Sequence, residues 1–121
     1  MDKKKVTNLN PHIRNIVQRY SEEIFLHIPG SRVILFGSYA KGNFNKDSDI
    51  DIAVFLPSNF LDTDFIAINR LLCRICNKYD CDIQTQVFMQ EELLSPMGIV
   101  EEIVQYGVDI TDFSHKDLVD F

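Results

Sequence analysis

The chain has 121 residues, 45% of them hydrophobic and 25% charged, with 18 acidic against 12 basic side chains and a net charge of −6. That length and balance describe one soluble domain, 1–121, large enough to bury a core, and the acidity excludes a non-specific grip on long nucleic acid, which needs a basic footprint. No apolar stretch reaches membrane-spanning length, and no apolar run follows Met1-Asp2-Lys3-Lys4-Lys5 as in a signal peptide, so the expected location is cytoplasmic.

Residues 1–9 read as a loose tail. A helix starts at Asn10-Pro11, because Asn is a good N-cap and Pro suits the first turn. Ile13, Ile16, Val17, Tyr20 and Ile24 follow at helical spacing, and Pro29-Gly30 ends the run. Val33 to Phe36 is a short apolar strand, buried on both faces. Ser38 to Lys41 makes one helical turn closed by Gly42, and Asn43 to Ser48 form a polar loop. Ile50 to Leu56 is a second strand, stopped by Pro57. A long helix from about Thr63 to Lys78 carries Phe65, Ile68, Leu72, Ile75, Cys76 and Tyr79 on its apolar face. Cys81 to Met89 alternates as a strand does. Ser95-Pro96 caps a further helix with Ile99, Ile103 and Tyr106, closed by Gly107. Val108 to Thr111 adds a short strand, and 112–121 is a second loose tail. The three cysteines, Cys73, Cys76 and Cys81, have no second Cys/His pair at zinc spacing. They are expected to be buried, reduced thiols.

The chemistry concentrates between the first two strands. Ile34-Leu35-Phe36 runs into Gly37-Ser38-Tyr39-Ala40-Lys41-Gly42, and ten residues after Ser38 comes Asp49-Ile50-Asp51. Residues two apart in a strand share a face. Asp49 and Asp51 therefore lie together, opposite Ile50, Ile52 and Val54. Two neighbouring carboxylates repel, and a core has no use for them. They suit a divalent cation, and magnesium combines carboxylate oxygens with substrate phosphates. The Gly-Ser turn can offer a phosphate backbone amides and a hydroxyl. Lys41 is the nearest cation to that turn; it either meets a triphosphate as a point charge or lies solvated. Lys46 reads as solvent-facing, and His12, His27 and His115 lack partner patterns.

This stretch resembles the signature of the DNA polymerase beta type nucleotidyltransferase superfamily, and within it the small prokaryotic minimal nucleotidyltransferase branch. The resemblance runs from about Pro29 to Thr111. It implies an α/β (α+β) nucleotidyltransferase fold: a short mixed sheet, helices packed on one face, and a metal site on the open face. It also implies a third carboxylate on a later strand. Asp82 stands where the family places it; Asp80, of the same parity, reads as punctuation at the turn. Gln84 and Gln86 share Asp82's face. Relatives often carry Arg after the Gly-Ser pair, where this chain has Tyr39 and Lys41.

The implied reaction passes a nucleotide monophosphate, expected to be AMP from ATP, to an acceptor hydroxyl and releases pyrophosphate. Asp49, Asp51 and Asp82 would hold two Mg2+ ions, with Mn2+ as a substitute, while Gly37, Ser38 and Lys41 would grip the triphosphate. Larger relatives add a second domain for base or acceptor, which 121 residues cannot accommodate. The expectation is therefore a partner or a second copy that completes the site. In the minimal branch the partner is a helical HEPN-type RNase, modified on a tyrosine within a toxin–antitoxin pair. The competing readings are a catalytically weak nucleotide-binding regulatory subunit, a stand-alone small-molecule transferase, and an interaction module that keeps only the fold.

Overall fold

Apolar residues at every third or fourth position make Pro11–His27 (α1) an amphipathic helix that buries Ile13, Ile16, Val17, Tyr20 and Ile24. This computed structural model describes residues 11–45, 47–57, 65–79 and 82–110. After α1 come the strand Arg32–Phe36 (β1), the single turn Ser38–Lys41 (α2), the strand Ile50–Leu56 (β2) and the helix Phe65–Cys76 (α3). The strand Ile83–Met89 (β3), a 3-10 turn over Gln90–Leu93, the helix Ile99–Tyr106 (α4) and the two-residue strand Val108–Asp109 (β4) complete the order.

The sheet runs β3-β2-β1-β4. β1 pairs antiparallel with β2 and with β4, and β2 pairs parallel with β3. On one face, Val33, Leu35, Ile50, Ile52, Val54 and Leu56 pack under α1 and under Ile68, Leu72 and Ile75 of α3. On the other, Ile34, Phe36, Ala53 and Phe55 meet Val100 and Ile103 of α4. Cover on both sides is why β1 and β2 are nearly continuous apolar runs. β3 is an edge strand, and its Gln84 and Gln86 are exposed. α1 and α3 thus cover one face as expected, while α4 crosses part of the second and leaves the β3 side open.

Several boundaries differ from the sequence expectation. The last helix begins at Ile99 behind Gly98, which has φ of 59°, rather than at Ser95-Pro96. Upstream, Gln90–Leu93 forms the 3-10 turn, where Glu92 accepts the Met89 amide at 2.9 Å. Among the described residues Cys73 is exposed and Cys76 is partly buried, so the expectation of buried thiols fails for Cys73. The face of α3 that packs inward is set by Ile68, Leu72 and Ile75, and Cys73 falls outside it. Asn10, Lys46, Asp80, Cys81 and both proposed tails lie outside the described residues.

Polar contacts lock the helices to the sheet. The buried Tyr20 hydroxyl hydrogen-bonds with Thr85 and accepts from the Cys76 thiol at 3.2 Å, joining α1, β3 and α3. Burial, then the Cys76 contact, pushes this hydroxyl above the usual tyrosine range. Glu23 of α1 pairs with Lys78 and accepts from the Tyr79 hydroxyl at 2.8 Å. Burial pushes the Glu23 carboxyl up, but hydrogen bonds from Lys78 and Tyr79 outweigh it and hold the group below the usual range. A depressed carboxyl stabilises the fold above its unfolded pKa and loses that contribution as pH falls through the folded value. Glu23→Gln should therefore cost about 0.5–1 kcal/mol at neutral pH. The deficit should shrink on acidification from about pH 7 to about pH 3, read by thermal unfolding.

Gly107 seats α4 on the sheet. Its φ of −70° is ordinary, so the need is for space. A Cβ there would stand 2.3 Å from the Ile103 carbonyl oxygen and 2.6 Å from Ile34 Cγ2. Gly107→Ala should lower stability by about 1–3 kcal/mol through overpacking, measured as a fall in Tm.

Candidate active site

Phe36, the last residue of β1, pairs with Asp51 of β2. The chain leaving β1 must therefore turn directly over the Asp51 side chain. It does so at Gly37, with φ of 75° and ψ of −151°, a conformation that only glycine adopts without strain. A Cβ at Gly37 would lie 2.2 Å from Asp51 Oδ2 and 3.1 Å from its Cγ. The backbone of the Gly-Ser turn thus rests against the carboxylate. Ser38 opens α2; the Lys41 amide donates to the Gly37 carbonyl at 3.0 Å and the Asn43 amide to that of Ser38 at 3.1 Å. Gly42, with φ of 81°, closes the turn.

The following loop is braced by its own side chains. The Asn45 amide donates to Ser48 Oγ at 2.9 Å, and the Asp47 amide to Asn45 Oδ1 at 2.8 Å. It delivers Asp49, exposed, to the start of β2, two residues before the half-buried Asp51. Burial, and then the charge of Asp49, pushes the Asp51 carboxyl above the usual carboxylate range. Among strand residues whose neighbours are apolar, a charged group so placed is disfavoured until something offsets it.

Asp82 stands at the start of β3, exposed. Its carbonyl accepts the Ile50 amide at 2.8 Å, and Gln84, two residues on, pairs with Asp51. Asp49 and Asp82 therefore occupy matching ends of adjacent parallel strands. Among the described residues, however, no three His, Cys, Asp or Glu side chains are grouped closely enough to hold a metal ion together. The structure brings Asp49, Asp51 and the Gly37-Ser38 turn together, and sets Asp82 on the neighbouring strand end without closing the trio. The donor set of Asp49 and Asp51 still fits a hard divalent cation. Carboxylate oxygens are its preferred ligands, and a partly desolvated, mutually repelling pair gains from one.

Lys41 is exposed but paired. Its Nζ lies 2.9 Å from Glu102 Oε1 and 5.2 Å from the centre of the Tyr106 ring, both on α4. These three residues and Ala40 line a hollow of about 600 Å3 beside α2. The sequence reading missed Glu102 altogether and placed Tyr106 on an apolar helix face, whereas its side chain is 43% exposed.

Comparison with known proteins identifies the family and the fold. Residues 12–115 match the nucleotidyltransferase domain family. A candidate protein adenylyltransferase of Methanocaldococcus jannaschii is 28% identical over 100 residues, covering 81% of this chain and 98% of that protein. A chain of a toxin–antitoxin crystallised with AMP-PNP superposes with a TM-score of 0.56 at 26% identity, over 88% of this chain and 78% of that one. A candidate nucleotidyltransferase from Sulfolobus solfataricus shares the fold, with a TM-score of 0.59 at 20% identity over 91% and 90% of the two chains. With a match that spans most of its length and a mixed sheet of the same fold, the chain belongs to the nucleotidyltransferase domain family and is a nucleotidyltransferase.

Proposed function

We propose that this nucleotidyltransferase moves AMP from ATP to a hydroxyl, a tyrosine side chain, on a HEPN-type partner protein, and acts as the cytoplasmic antitoxin of a toxin–antitoxin pair. The observation that carries the reading is the contact between Gly37 and the Asp51 carboxylate. It supports a reading in which the turn binds phosphate and the neighbouring carboxylate pair binds metal within one site. The adenylyltransferase relative and the toxin–antitoxin neighbour support AMP as the group moved and a protein as its acceptor.

In this reading the amides of the Gly37-Ser38 turn and the Ser38 hydroxyl donate to the β- and γ-phosphates. Lys41 adds a point charge to the same end. Asp49 and Asp51, with Asp82 from the next strand, would hold two Mg2+ ions, which when bound neutralise the triphosphate and favour the ionised acceptor hydroxyl. The acceptor oxygen forms its bond to the α-phosphorus as the bond to the β-phosphate bridging oxygen breaks. AMP remains on the acceptor and pyrophosphate leaves. Positioning and charge supply most of the rate, because the protein itself forms no bond to the substrate.

The partner is needed for orientation. Holding an acceptor in line can supply about 7–11 kcal/mol of the barrier. Incubated alone with labelled ATP and Mg2+, the chain should therefore transfer slowly or not at all. Adding the HEPN-type partner should restore transfer, and mass spectrometry of the co-expressed pair should find AMP on a partner tyrosine. An unmodified partner beside rapid adenylylation of a small molecule would defeat the antitoxin reading and favour a stand-alone transferase.

A further inference from the structure

The cation nearest in sequence to the Gly-Ser turn already has an anion. Lys41 lies in α2, and its amide is bonded to Gly37 itself. Its ammonium is held from the other side by Glu102, 61 residues away in sequence, at 2.9 Å. The Tyr106 ring, one helical turn beyond Glu102, lies beneath it at 5.2 Å. α4 is seated on the sheet by the buried Val100 and Ile103 and by the close approach at Gly107, so Glu102 is presented from a fixed element. The pair borders an open hollow, and its two side chains are 36% and 42% exposed. An ion pair that wet is weak, and a multiply charged anion can displace it.

We infer that Glu102 is an internal competitor for the triphosphate. It holds Lys41 in the empty site and must surrender it when nucleotide binds. The inference rests on the reading of Lys41 as a triphosphate cation. On nucleotide binding, the Lys41–Glu102 contact gives way to a Lys41–phosphate contact, and the Glu102 carboxylate is left near a second anion. Both effects weaken nucleotide binding. Glu102 thus lowers affinity without touching the reacting atoms, and it lets anything that moves α4 or takes up its carboxylate raise affinity.

The test is calorimetric titration of Mg2+ and ATP into the wild type, Glu102→Gln, Glu102→Asp, Lys41→Met, and the Lys41→Met/Glu102→Gln double variant. Glu102→Gln should bind about two- to fivefold more tightly, the range that a solvated ion pair allows. Glu102→Asp, which keeps the charge, should stay near wild type. Lys41→Met should bind more weakly, and adding Glu102→Gln to it should then change little, because the competitor has lost its target. Unchanged or weaker binding by Glu102→Gln overturns the inference, as does an equal gain in the Lys41→Met background. Either result would leave the phosphate turn and carboxylate pair standing. A wild type that binds no nucleotide with Mg2+ would instead overturn the site reading, and the inference with it.

Discussion

Replacing Asp51 with Asn should remove nucleotidyl transfer, by a factor on the order of a thousand or more, while leaving the fold intact. The two effects have one cause. Asp51 is half-buried beside Asp49, and burial and that neighbouring charge hold its carboxyl above the usual range. A carboxyl with a raised folded-state pKa favours folding at low pH, and that contribution is lost as pH rises through the folded value. At neutral pH the charged form therefore costs stability, and the amide removes the cost. Tm of the variant without ligand should equal or exceed that of the wild type, and any gain should widen as pH rises through the folded value. Mg2+ with a non-hydrolysable ATP analogue should reverse the ranking. At about a hundred times Kd a ligand adds about 2.7 kcal/mol, a shift of several degrees for a domain of this size. Wild type should show it and Asp51→Asn should not. A variant that gained the ligand shift as wild type does would remove Asp51 from the site.

Gly37→Ala should be nearly as damaging, and through geometry rather than charge. The residue combines a positive φ with an extended ψ, a region that carries about 1–3 kcal/mol of strain for any other residue. The added Cβ would also stand 2.2 Å from Asp51 Oδ2. Relief requires either the turn or the carboxylate to move, and each holds one half of the proposed site. Stability should fall by about 1–3 kcal/mol, and transfer by much more than that loss explains. Ala at Ser38 should do less, since it deletes one hydroxyl and leaves the backbone path in place. Equal transfer by Gly37→Ala and wild type would mean that the turn is not where phosphate binds.

The sequence showed most of this architecture because its strong signals are local. β2 was legible to the residue, Ile50 to Leu56, because an apolar run ends at a proline. The α2 turn was legible because Gly42 supplies a left-handed cap after a single turn. Asp49 and Asp51 were legible because strand alternation puts them on one face. What escaped depends on residues far apart in the chain. The start of α4 lies at Ile99 behind Gly98 rather than at Ser95-Pro96, and the 3-10 turn Gln90–Leu93 upstream is capped by a contact invisible to hydrophobic spacing. Gln90 adds a tertiary anchor there, donating to the Gly30 carbonyl at 2.7 Å. Cys73 lies exposed because the inward face of α3 is set by its packing on α1 and the sheet, not by hydrophobicity alone. Glu102 gave no sign of its tie to Lys41, since periodicity places a charged residue on a helix's outer face without naming the cation across from it. Asp82 lies just before β3, level with Asp49, but its exposure and the absence of a closed three-carboxylate group among the described residues could not be read from parity.

The most direct measurement follows the phosphorus atoms of ATP. The chain and the proposed HEPN-type partner are incubated with Mg2+ and ATP labelled at either the α- or the γ-phosphate. Attack at the α-phosphorus predicts α-label on the partner protein and γ-label recovered entirely in pyrophosphate. Both signals should require Mg2+, and both should be absent with Asp51→Asn. Recovery of γ-label on the acceptor, or α-label transfer undiminished in Asp51→Asn, would contradict the account.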